Sequence, residues 1–302
     1  MNDGGRTSRF SAGVELTALL VAAARAIETR HPDGIVGDPY AEAFVKAAET
    51  PVPLPVSIEE VAEGDADPVW GRGGQYFALR TRVFDDFLLD AAHRQGIRQV
   101  VQLGAGLDTR ALRLDWPAGT VVYEVDRSDL FAFKQDVLDA MGARPAVRHH
   151  HVVADLERDW AEPLRAAGFD PPRPTAWVIE GVIPYLSAPV ERSLITTVSA
   201  LSAPGSAIAY EILQGQETEE IRDSSLYADT EQKMGVHLSG LFSEDARPDS
   251  ARALAGEGWE VSGESVYGFT ERYGRGPRPG ADDPISHARW VRGHRVHGPD
   301  EG

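Results

Sequence analysis

The sequence predicts an α/β fold: a mostly parallel β-sheet covered on both faces by helices, preceded by a helical N-terminal cover. Three observations predict it. Five short apolar runs between Gln99 and Leu213 alternate with helix-period segments, the pattern of a parallel sheet with crossover helices. The first run passes into Gly104-Ala105-Gly106, a turn where missing side chains let a ligand approach the backbone. The second run ends in Glu124-Val125-Asp126, whose acids follow Gly104 by 20 and 22 residues.

The elements read as follows. After a loose terminus over the first ten residues, Leu16, Leu19, Leu20, Ala23 and Ile27 recur at helical spacing from Val14 to Thr29. His31-Pro32-Asp33-Gly34 stops that helix. Asp38-Pro39 starts a short second one with Ala41, Phe44, Val45 and Ala48 as its apolar positions. Thr50 to Val69 reads as a loop with room for a short helix, and Gln75 to Arg94 as a helix with Phe77, Val83, Phe84, Phe87, Leu88 and Ala91 near one face.

Strands are expected at Gln99–Leu103, Thr120–Val125, His150–Ala154, Ala176–Ile179 and Ser206–Leu213, with helices at Leu130–Met141, Trp160–Ala167 and Val190–Leu201 between them. Beyond Leu213 the pattern loosens. Gln216 to Met234 reads as a polar surface helix, and Pro248 to Gly258 as a helix. Trp259–Val266 and Ala288–Val296 read as two last strands joined by a Gly/Pro/Asp-rich link from Gly274 to Pro284. This divides the chain into a helical cover (1–95), a ligand-binding core (96–213), and a lid with terminal strands (214–302).

Composition narrows the function. The 302 residues are 42% hydrophobic and 25% charged, an ordinary globular balance. The apolar stretch Leu16 to Ala26 is too short to span a bilayer, so a cytoplasmic protein with no membrane partner is expected. The absence of cysteine removes disulfides and thiolate chemistry. Forty-seven acidic against 30 basic residues, a formal charge of −17, argue against nucleic acid as partner and favour a small molecule. His149-His150-His151 reads as surface sequence preceding a strand, away from the crevice. No His/carboxylate set has metal-ligand spacing in the sequence.

In an open parallel sheet, ligands bind beyond the carboxyl ends of the strands. A carboxylate at the end of the second strand can accept both hydroxyl protons of a ribose. Glu124 and Asp126 share a face but differ in depth, so alternation alone leaves the choice between them open. A dinucleotide fingerprint would need Gly or Ala three places after the second glycine, where this chain has Thr109 preceded by Asp108. A pyrophosphate would meet that carboxylate. S-adenosylmethionine carries no phosphate, so it is preferred over NAD, with an NAD-dependent oxidoreductase as the alternative.

Four ordered motifs, Leu103-Gly-Ala-Gly-Leu-Asp-Thr-Arg110, Tyr123-Glu-Val-Asp126, Ala154-Asp-Leu156 and Glu180-Gly-Val-Ile-Pro-Tyr-Leu186, resemble the leucine carboxyl methyltransferase family, in particular its bacterial O-methyltransferase branch. Tyr76-Phe-Ala-Leu-Arg-Thr-Arg82 and Ala24-Arg-Ala26 resemble that family's N-terminal part, so the similarity spans roughly residues 14 to 213. It implies a class I methyltransferase, a Rossmann-like sheet with a lid after the fifth strand, using S-adenosylmethionine. It further implies Gly104, with Ala105 and Gly106, against the cofactor; Asp126 on the ribose; Asp155 and Leu156 beside the adenine; Arg80, assisted by Arg25, on the methionine carboxylate; and Glu180 near the amine. Tyr185 is a candidate for the acceptor side, and His237 for a general base. The expected acceptor is a small natural product methylated on oxygen. A catalytically silent, cofactor-binding partner subunit is a further alternative.

Overall fold

The computed structural model describes residues 13–280 and 283–296. The expected loose terminus, and two residues of the Gly274–Pro284 link, lie outside them. Among the described residues the strands are β1 (Gln99–Leu103), β2 (Val121–Asp126), β3 (Arg148–Val153), β4 (Thr175–Ile179), β5 (Ala207–Leu213), β6 (Trp259–Ser265) and β7 (Ala288–Arg295). They form one sheet in the order β3-β2-β1-β4-β5-β7-β6. The first five are parallel, and β7 runs antiparallel to both neighbours. The chain reverses its direction of travel across the sheet between β1 and β4, which opens a crevice beyond their carboxyl ends.

The helices are α1 (Val14–Arg30), α2 (Ala41–Ala47), α3 (Gly74–His93), α4 (Arg110–Arg113), α5 (Ser128–Ala140), α6 (Ala161–Ala166), α7 (Ala188–Ala200), α8 (Glu219–Arg222), α9 (Ser225–Met234), α10 (Ser250–Gly256) and α11 (Val266–Tyr273). Strand alternation sends neighbouring residues to opposite layers. Val101, Leu103, Tyr123, Val125 and Trp177 pack with Leu164, Leu194, Val198 and Leu254 of α6, α7 and α10. Val100, Val122, Ala176 and Val178 pack with Leu79, Val83, Phe84 and Phe269 of α3 and α11. A third cluster joins Leu16, Leu19, Leu20 and Phe44 of the N-terminal cover to Leu130 and Phe133 of α5 and to Met234. The central strands are mostly apolar because they are buried on both faces, with Gln99, Gln102 and Glu124 as buried polar exceptions.

Three expectations are corrected. The surface helix over Gln216–Met234 is two helices broken at Asp223–Ser224, and Gln216 is buried. Its side-chain amide donates to the Pro184 carbonyl at 2.8 Å and anchors the segment instead of facing solvent. The stretch between the last strands begins with α11, whose Phe269 faces the core. In keeping with a loop that has room for a short helix, Thr50–Val69 contains 3-10 turns at Ile58–Glu60 and Gly64–Ala66, followed by a π-helical turn at Pro68–Gly73 capped by Asp67. The three histidines lie within β3, not before it. No described helix is long and apolar enough to cross a membrane.

Candidate functional site

A cavity of about 390 Å³ opens beyond the carboxyl ends of β1, β2 and β4. Gly104 and Gly106 form its floor with φ of +67° and +54°, conformations that disfavour a side chain. A Cβ on Gly104 would stand 2.4 Å from Val182 Cγ2, so the close approach itself requires glycine. The Gly106 N–H donates to Asp126 Oδ2 at 2.7 Å, and the Arg127 N–H to Oδ1 at 2.7 Å. Two fixed donors thus orient the carboxylate at the end of β2. Burial pushes the Asp126 carboxyl above its ordinary range, against those two hydrogen bonds.

The structure decides between the two acids of β2. Glu124 is fully buried and bonded to Lys134 of α5, with Lys134 Nζ 2.6 Å from Oε2. Asp126 lines the cavity and Glu124 does not.

One end of the cavity is a charged cluster. Arg80, buried on α3, donates from Nε to Glu180 at 2.9 Å and from Nη1 to Glu211 at 2.5 Å. Tyr76 donates to the other Glu211 oxygen at 2.7 Å. Arg110 reaches Glu180 at 2.7 Å and Asp85 at 2.6 Å, and pairs with Asp108. Arg113 completes the set through Asp85. Burial would raise the carboxyls of Glu180 and Asp108, but the adjacent arginines outweigh it and hold both below the usual carboxylate range. Arg80, Arg110 and Arg113 face Glu180, Glu211, Asp85 and Asp108: three cations against four anions leave one net negative charge.

At the opposite side Asp155 and Leu156 follow β3 and line the cavity, with Asp155 accepting the Glu157 N–H at 3.0 Å. A third wall is aromatic and apolar. Tyr185 lies 5.6 Å from Phe242, ring centre to ring centre, and Tyr227 lies 5.5 Å from the same ring. Burial pushes the hydroxyls of both tyrosines up, with a Thr17 contact partly offsetting it at Tyr185. α1 and α9 supply the roof through residues such as Ala18, Val21, Leu226 and Thr230.

The cavity brings together Arg25, Arg80, Gly104, Ala105, Gly106, Asp126, Asp155, Leu156, Glu180 and Tyr185. Arg25 is committed to the protein: Nε donates to Asp38 at 2.8 Å and Nη2 to the Leu107 carbonyl at 2.7 Å, tying α1 to the glycine loop. His237 is not among the lining residues. Its side chain is 63% exposed and Nδ1 is 2.8 Å from Glu231 Oε2, a surface pairing that corrects the expected base. Sequence reasoning missed Arg110, Glu211 and Tyr76. Glu211 carried the signal already used for Glu180, an acid at the end of an apolar strand. Arg110 closes the first motif, but its cross-chain partners are visible only in the fold.

The sheet order and its crevice are those of a class I methyltransferase fold. The leucine carboxyl methyltransferase profile matches residues 18–199. A provisionally named S-adenosyl-L-methionine-dependent methyltransferase of Streptomyces coelicolor is 50% identical over 293 residues, covering 97% of each chain. One from Mycolicibacterium gilvum, also provisionally named, is 42% identical over 270 residues, covering 85% of this chain and 87% of its own. A crystal structure described as a provisional methyltransferase from Thermobifida fusca matches in fold with a TM-score of 0.55 at 16% identity, covering 95% of this chain and 96% of its own. The chain belongs to the leucine carboxyl methyltransferase family.

Proposed function

We propose that the protein transfers a methyl group to an oxygen, a carboxylate or hydroxyl, of a small organic acceptor. Its family and the names of its relatives make it an S-adenosyl-L-methionine-dependent methyltransferase. The observation that carries the finer reading is one continuous cavity that joins the Gly104–Gly106 floor to the aromatic wall of Tyr185, Tyr227 and Phe242. The charge count of −17 supports a small metabolite over a polyanionic acceptor.

The donor's chemistry fits the residues present. Gly104, Ala105 and Gly106 offer a backbone surface, and Asp126 would hold the ribose hydroxyls. Asp155 and Leu156 would flank the adenine. Arg80 would face the methionine carboxylate and Glu180 the amine. Arg25 would act on the donor only indirectly, by holding the glycine loop. The single net negative charge of the arginine–carboxylate cluster complements a ligand that carries one net positive charge. When bound, S-adenosyl-L-methionine supplies a methyl group activated by its sulfonium.

The chain's own part is positioning and exclusion of water. Tyr185 and Tyr227 keep their protons at neutral pH because burial raises both hydroxyls. Tyr185 would therefore orient the acceptor by donating a hydrogen bond, not by removing a proton. Glu180 and Glu211 are engaged by Arg80, and Glu211 also by Tyr76. An acceptor that arrives as an anion, such as a carboxylate or an acidic enol, needs no base from the protein.

The test is a methyl-transfer screen with isotopically labelled donor against panels of small carboxylates, phenols, amines and thiols. Label in base-labile ester or stable ether products supports oxygen transfer, and label only in amines or thiols contradicts it. Tight donor binding with no labelled product from any panel would instead favour a silent partner subunit.

A further inference from the structure

Outside the donor cavity, three metal-ligating side chains converge where the edge strand β3 pairs with β2. Alternate residues of a strand share a face, so His149 and His151 point to one side, while His150 stacks on Tyr123 with ring centres 5.0 Å apart. In the β2–β3 register Glu124 is directly opposite His151. His149 Nε2 lies 3.2 Å from Glu124 Oε1, and His151 Nε2 lies 3.5 Å from Oε2. One ligand atom from each of the three residues falls within 4.8 Å of the others.

Two features separate this cluster from a chance grouping. Glu124 is wholly buried, and the His149 side chain is 8% exposed. Glu124 Oε1 and both Nε2 atoms are nonetheless buried with no hydrogen-bond partner among the described residues, which is uncommon in a folded protein and calls for an explanation. The 3.2 Å separation of His149 Nε2 from Glu124 Oε1 also suits an ion. Nitrogen and oxygen ligands at 2.0–2.2 Å from zinc, at tetrahedral angles, stand roughly 3.3–3.5 Å apart.

We propose that Glu124, His149 and His151 form a binding site for a divalent first-row transition metal ion, with zinc the best match to two imidazoles and one carboxylate. Lys134 takes Glu124 Oε2 at 2.6 Å and leaves Oε1 for the ion. The His151 ring is held by Phe131 of α5, stacked at 4.6 Å. Asp108 and Asp126 both lie within electrostatic reach of Lys134 and offset the added charge. Among the described residues β3 has only β2 as a strand neighbour, so an ion here clips the edge strand to the sheet. Asp155 and Leu156, which line the donor cavity, follow directly. The role is structural, and the site stands independently of the acceptor's identity.

The test uses the full chain, stripped with chelator, titrated with Zn²⁺ alone by calorimetry and with Co²⁺ alone by visible absorption. One saturable site with the intense cobalt bands of four-coordination is expected. The pair His149→Ala, His151→Phe, which retains an aromatic ring against Phe131, should weaken zinc by at least about tenfold while S-adenosylhomocysteine affinity stays within about threefold. His237→Ala should change neither. If the double variant does not fold, His149→Gln alone carries the same comparison. Absence of saturable zinc binding, or equal binding by the histidine variants, overturns the proposal and assigns any uptake to surface histidines.

Discussion

The Gly106 backbone N–H points at Asp126 and donates to Oδ2 at 2.7 Å. The glycine turn after β1 and the acid that ends β2 are therefore one unit, and the carboxylate is oriented before any ligand arrives. Removing Asp126 has two consequences, a lost ligand contact and a loosened turn. Asp126→Ala should weaken S-adenosylhomocysteine binding by about 1–3 kcal/mol, the range for unpaired hydroxyl donors. Asp126→Asn, which keeps one acceptor oxygen, should recover part of it. Calorimetry on both variants checks this. An unchanged affinity in the alanine variant would remove Asp126 from the donor site.

Because burial raises the Asp126 carboxyl above its ordinary 3.8, it should protonate at a higher pH than an exposed aspartate. The protonated form loses acceptor capacity, so donor affinity should fall as pH drops through that raised value. Asp126→Asn should flatten this part of the profile. The same slope in both proteins would place the titration elsewhere.

Stability should also fall on acidification, through Glu180 and Asp108. Their folded-state pKa values lie below the ordinary 4.5 and 3.8 because Arg110 is beside both. Their contribution is present above those ordinary values and is lost as pH falls toward the depressed ones. Thermal midpoints should therefore drop below about pH 4, and the drop should be shallower in Asp108→Asn measured against its own neutral value. A midpoint that is flat from pH 5 to 3 would contradict the cluster's role.

Arg80→Ala should cost more than ligand affinity. It leaves Glu180 and Glu211 partly uncompensated in the interior, a loss of about 3–5 kcal/mol where one partner of a buried pair is removed. If the fold survives, S-adenosylmethionine and S-adenosylhomocysteine should weaken by similar factors, since both carry the same carboxylate. Arg80→Lys should restore only part, because an ammonium cannot reproduce the fork between Glu180 and Glu211. Loss of thermal stability with both affinities intact would make Arg80 a structural residue alone.

The cover should behave as the acceptor's wall. Tyr227→Ala and Phe242→Ala should lower kcat/KM for the acceptor by at least about tenfold, about 1.4 kcal/mol, with donor affinity within about threefold. Donor addition should slow amide exchange in residues 14–82 more than in α6 and α7. Variants that transfer methyl groups at the normal rate would put the acceptor elsewhere.

The alternation of apolar runs and helical segments made the parallel half of the sheet legible, because strands buried on both faces are mostly apolar. The glycine floor, Asp126, Asp155 and Glu180 were legible from motifs placed at strand ends. The paired state of Arg80 was not, since Glu211 is 131 residues away and joins it only through the neighbouring strand β5. His237 misled for a related reason. Its place in a cover segment gave no sign of which side faced the cavity, and Glu231 holds it outside. The histidine run looked like surface because the partner it needs, Glu124, is supplied by the adjacent strand.

The central claim is that this crevice holds S-adenosyl-L-methionine and not a dinucleotide. Calorimetric titration of the purified chain with S-adenosylhomocysteine and, separately, with NAD tests it most directly. One saturable site for S-adenosylhomocysteine, weakened in Asp126→Ala, is expected, with no saturable heat from NAD. Saturable NAD binding that depends on Asp126, with none for S-adenosylhomocysteine, would contradict it.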